Sequence, residues 1–233
     1  MTFRTAEEAK TANVAKMGDE LGEIYSALWQ DVAVLHFDWH EYVELFGTKP
    51  ARIDLMNAAA SHFFRLVQDR LWETTLLHLA RLTDPAESMG KGSGRTNLTI
   101  RALSGLIDDA PLKDRLAKLA DEAVKLTEFA RDWRNRHIAH RDLKLALEQA
   151  TTPLAEASRE DVKKALSAIA AVLNEAATHY TDSQTAFEHV AGPLGGAVSL
   201  LYVLGIGERA KEERGKRLRA GIQTAEDLVI HDV

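Results

Sequence analysis

The 233-residue chain has no cysteine, only five prolines and an aromatic content of 6%. Without cysteine there are no disulfides, no thiolate zinc sites and no thiol nucleophile, which fits a reducing cytoplasm, the expected location. Long apolar runs are missing as well. The longest uncharged stretch, Val190 to Gly207, is broken by five glycines and Pro193, and its apolar heart, Ala197 to Ile206, falls far short of the ~20 residues a bilayer needs. No membrane association is expected, and the run reads as a buried or dimer-forming helix. The opening MTFRTAEEAK carries no apolar signal core, which argues against secretion. Positive charge is in deficit, with 29 Lys and Arg against 35 Asp and Glu, a net −6. That balance discourages non-specific nucleic-acid binding by the surface as a whole.

What is present favours helix. Ala and Leu number 65 against 22 for Val and Ile, the ranking helix propensity prefers and sheet propensity does not. The spacing predicts a helix over 6–46, bent or divided near Gly18 and Gly22 and ended by Gly47. A second follows over 51–82, with Leu55, Met56, Ala59, Phe63, Val67, Leu71 and Leu77 as its apolar stripe. Residues 83–97, with Asp84-Pro85 and the glycines of GKGSG, read as a loop. A short helix over 98–107 precedes a long one that Pro111 opens and that runs through Trp133, ending or bending within 131–142. Ser158-Arg-Glu-Asp161 is a capping-box start for a helix carrying Val162, Leu166, Ile169 and Leu173. A last helix runs from near Pro193 to about Arg219. The expected fold is all-α: a bundle of long antiparallel helices over 1–182, with a C-terminal helical extension over 183–233 packed on the bundle or in a dimer contact.

Two patterns fail as sites. Gly90-Lys-Gly-Ser-Gly94 lacks the Ser or Thr after Lys and the preceding strand that a phosphate loop requires. His36 and His40 share a helical face with Glu41 and Glu44 near, but no third ligand stands at a metal-binding spacing. No metal or cofactor is expected.

Charge is not spread evenly. Residues 131–142, RDWRNRHIAHRD, carry +2, and 209–219, RAKEERGKRLR, carry +4, leaving −12 for the rest. In the first island a histidine near neutral pKa can accept a ribose hydroxyl proton, while an arginine fork binds phosphate and stabilises charge developing on it. RNA brings its own nucleophile in the 2′-hydroxyl, so such a site needs no metal. The competing reading is a solvated helix end whose Arg and His complement the dipole and pair with Asp132 or Asp142.

Arg134-Asn135, then four residues, then His140 resembles the R-polar-x4–6-H motif of the HEPN family. The wider run WRNRHIAHRD, with LARLTDP at 79–85, resembles its abortive-infection U-type branch over about 35–180. The resemblance implies a metal-independent endoribonuclease of phage defence or a toxin system, acting as a homodimer with both motifs facing one cleft. It implies His140 as general acid or base, Arg134 as phosphate and transition-state ligand, and Asn135 as the residue that orients them. Arg131, Arg136, His137 and Arg141 are candidate substrate-binding helpers. RNA is the expected substrate, and an antitoxin or regulatory chain a further partner. Six residues on an unbroken helix place Arg134 and His140 about 120° apart, so the helix must bend or two subunits must complete the site. Residues splayed to bulk solvent or locked in salt bridges would remove it. The alternatives are a non-catalytic helical protein binding a nucleotide or protein partner, and a metal-dependent hydrolase using His137, His140 and Asp142.

Overall fold

A computed structural model describes residues 5–87, 96–140, 142–149, 152–189 and 195–228. The fold is an all-α bundle, with no strand among the described residues and a lone antiparallel bridge, Glu87 to Thr96, drawing the loop ends together. The helices are α1 (Ala6–Met17), α2 (Asp19–Phe46), α3 (Pro50–Leu82), α4 (Ala110–Leu126), α5 (Glu128–Trp133), the one-turn α6 (Leu143–Ala146), α7 (Arg159–Thr181) and α8 (Ala197–Arg219). A 3-10 turn spans Ile100–Leu106 and a π turn spans Arg134–Ile138.

Local chemistry sets most boundaries. Thr5 and Glu8 form a capping box that starts α1, and Ser158 with Asp161 forms another that starts α7. Asp109 caps α4 ahead of Pro111. Gly18 divides α1 from α2 at φ +85°, a left-handed value that favours glycine. The segment Asp19–Phe46 is thus one helix after a single break, and Gly22 serves close packing instead.

Tertiary contacts divide the chain into two compact units, Met1–Trp39 with Trp72–Ala191, and His40–Leu71 with Gly192–Val233. In the first, Leu28, Val32 and Leu35 of α2, Leu76, Leu79 and Leu82 of α3, Leu112 and Leu116 of α4, and Ile169 and Leu173 of α7 are buried in one core. Phe187 seals it, tilted against Trp29 and stacked on His36. In the second, Leu45, Met56, Phe64, Ala197 and Leu201 make a smaller core. There the Glu41 carboxylate accepts from the Ala197 amide and so caps α8. A Cβ on Gly196 would strike that carboxylate.

Three expectations change. The stripe of α3 is not continuous, because Ala60 leaves helical geometry (φ −162°, ψ 70°); the phase slips there, so Phe64 is buried at 4% exposure while Phe63 is 55% exposed, and Leu77 also faces outward. The long helix after Pro111 breaks at Thr127, whose hydroxyl bonds back to the Ala123 and Val124 carbonyls. The last helix starts at Ala197; Pro193 lies outside the described residues, as does GKGSG.

Candidate functional site

The basic island lies along the end of α3. Thr83 and Thr127, both fully buried, share a hydrogen bond of 2.8 Å between their hydroxyls, fixing the end of α3 to the start of α5. From that anchor Arg131 donates to the Thr83 carbonyl (3.0 Å) and hydroxyl (3.1 Å), and its Nε lies 3.8 Å from Asp84. Burial lowers the pKa of Arg131, against the opposing pull of Asp84.

Arg134 opens the π turn, in which the Ala139 amide reaches five residues back to the Arg134 carbonyl (2.8 Å). Its Nη1 donates to Asp84 at 2.5 Å and its Nε to the Asn135 side chain at 3.1 Å. Asp84 therefore faces two arginines, and Asn135 directly orients Arg134. The third guanidinium nitrogen, Nη2, makes no bond to a described residue. The Arg134 side chain is 22% exposed.

The other basic residues divide in role. Arg136 is tied to Asp132 and to the Thr152 and Pro153 carbonyls, while the Ala155 amide donates to Asp132 and the Trp133 ring to the Ala155 carbonyl. It holds the 152–155 connection against the π turn, a structural duty. His137 stands edge-on to Trp133 with its Nε2 3.5 Å from Glu73. His140 is exposed and bonds to no described residue, Arg134 included. Asp142 spends its carboxylate capping α6 at the Leu145 amide. Arg141 lies outside the described residues. No group of three His, Asp or Glu among the described residues is arranged to hold a metal ion, so His137, His140 and Asp142 do not converge as ligands, nor do His36 and His40 with their neighbouring acids.

Asp84 and Glu73 are the site residues that sequence reasoning missed. LARLTDP contains Asp84, but nothing in that string says which base it meets. The acids also temper the island's +2. The second island is similarly moderated: Lys211 pairs with Glu208, Lys216 with Glu212 and Glu213, and Arg214 and Arg217 with Asp227.

The family model HEPN_AbiU2, described as AbiU2, matches residues 18–199. The chain belongs to the AbiU2 family of HEPN proteins. The match takes in α2 through α7, the 131–142 island and the first residues of α8, and it associates this HEPN domain with abortive infection. No curated protein and no solved structure matches the chain significantly. Among the described residues no helix is long and apolar enough to cross a membrane.

Proposed function

We propose that this HEPN domain is a metal-independent endoribonuclease of an abortive-infection or toxin–antitoxin system, acting as a homodimer on RNA. What supports the reading is membership of a HEPN family together with the motif spacing of Arg134 and His140; within one chain the pair meets the condition set above for losing the site, since Arg134 is ion-paired with Asp84 and His140 is splayed to solvent. Arg134 would take a phosphate oxygen through Nη2 and stabilise the added negative charge as phosphorus becomes five-coordinate. His140 would remove the 2′-hydroxyl proton; the 2′-oxygen attacks the adjacent phosphorus, the bond to the 5′-oxygen breaks, and that oxygen receives the proton. The products are a 2′,3′-cyclic phosphate and a 5′-hydroxyl, with no net proton or electron exchanged.

Among the described residues of one chain, His140 has no partner to orient its ring and is not bonded to Arg134. The reading therefore requires the RNA or a second subunit to complete the pair. The same fact supports the second reading, a HEPN protein that binds a nucleotide or protein partner at the Arg134 edge without cleaving.

The test incubates structured RNA with wild type and His140→Ala in EDTA. The expected result is cleavage to 2′,3′-cyclic ends by the wild type, reduced by ~100-fold or more in the variant, the usual worth of a general acid–base group. Equal background in both favours the binding reading, and loss of wild-type cleavage in EDTA points to a metal.

A further inference from the structure

Helix α8 has two apolar faces, and only one is covered. Ala197 and Leu201 are buried against Leu45, Met56 and Phe64, with Leu204 packed beside them. On the opposite side Val198, Tyr202, Val203 and Ile206 are 55, 69, 63 and 45% exposed, and no charged residue interrupts 197–207. A helix apolar all round is ordinarily enclosed on all sides. This one is enclosed on half.

We propose that the outer face of α8 is a self-association surface, which packs against the same face of a second copy of this chain in an antiparallel crossing. The proposal rests on the nuclease reading only in taking the chain to be a homodimer. Three features select a second copy. First, the face is self-complementary: Val198, Tyr202 and Ile206 form an i, i+4, i+8 ridge, and the adjacent row, Ser199, Val203 and Gly207, is low at both ends. A Cβ on Gly207 would meet nothing within 4 Å. A ridge beside such a groove lets two identical helices interdigitate about a two-fold axis near Tyr202.

Second, the patch has the size of an interaction site: at roughly 100 Å² each the four exposed side chains present about 400 Å² of apolar surface, about half the ~800 Å² per partner of a standard interface, with flanking residues supplying the remainder. Third, charge favours one direction: residues 209–219 carry +4, reduced to +2 by the Glu208 and Asp227 that pair with Lys211, Arg214 and Arg217, so a parallel pairing would set like-charged ends together, while an antiparallel crossing sends them to opposite ends. An uncharged face offers nothing to a phosphate backbone, so RNA is not its occupant.

The experiment is sedimentation equilibrium of the full chain at tens of micromolar, with helicity followed by circular dichroism. The expected result is a wild-type dimer, an intact His140→Ala dimer, and for Tyr202→Lys a dissociation constant raised at least ~30-fold at unchanged helicity, as for a central aromatic anchor. Because the chain has no cysteine, Tyr202→Cys provides an independent variant: it should form a disulfide-linked dimer on mild oxidation, whereas Asp114→Cys on exposed α4 should not, since a disulfide needs Cα atoms within about 7 Å. A monomeric wild type overturns the proposal, as does a dimer that Tyr202→Lys leaves unchanged; the latter result spares a dimer formed through the 131–142 segment. Flotation of a monomeric wild type with phosphatidylserine vesicles, lost in Tyr202→Lys, would reassign the face to lipid. Loss of RNA cleavage in His140→Ala with the dimer intact bears on the nuclease reading alone.

Discussion

Asp84 organises the candidate site through one carboxylate that meets both Arg131 and Arg134. Replacing it with alanine leaves two guanidinium groups, each about a fifth to a quarter exposed, without their anion. Since both retain some water, the cost falls between that of a surface pair and a buried one, about 1–2 kcal/mol by urea denaturation. If Arg134 carries the phosphate, cleavage in Asp84→Ala should drop further than the stability loss explains, and Asp84→Asn, which keeps an acceptor, should recover part of it. Unchanged cleavage in both variants would show that Arg134 needs no fixing. Arg134, Asn135 and His140 were legible as a motif because their spacing is local. Asp84 and Glu73 were not, because Asp84 lies 50 residues before the arginine it binds and ion pairing at that range is decided by how helices meet.

Helix starts followed the signals that the sequence displays at Pro111 and Ser158-Arg-Glu-Asp161, since a first-turn proline and a capping box act within a few residues. The break at Ala60 and the step at Thr127 had no such sign. Alanine favours helix, so nothing local marks the departure at Ala60 or the slip from Phe63 to Phe64 that accompanies it. The close approach of α1 and α2 is likewise tertiary: a Cβ on Gly22 would lie 2.5 Å from Val14 Cα and 2.7 Å from its nitrogen, backbone atoms that cannot swing aside. Gly22→Ala should therefore force the two helices apart and destabilise the fold by about 2–3 kcal/mol, despite alanine's better helix propensity. A gain in melting temperature would contradict that packing.

Global stability should depend on pH through two buried histidines. Burial lowers the pKa of His36 from its ordinary 6.5 to about 4, with Glu188 opposing, and its Nε2 makes no hydrogen bond among the described residues. Burial and Arg81 lower that of His78, against Asp31 and Asp38. Unfolded, both bind protons below about pH 6.5; folded His36 does not until about 4. Stability should therefore be full above pH 6.5 and decline as the pH falls toward 4, by about 3 kcal/mol from His36 alone at the low end. His36→Leu should flatten this decline in thermal melts between pH 7 and 4, and an unaltered slope would assign it elsewhere.

By itself the sequence determined the helical class, the capped boundaries and the family motif, because propensity, capping and spacing act within a few residues. Only the tertiary structure decided that Asp84 fixes Arg134, that Glu73 stands beside His137, that the basic islands are largely offset by acids, and that α8 keeps one apolar face uncovered. Each depends on which helix faces meet, and burial and ion pairing over tens of residues are energies of packing that no local pattern encodes.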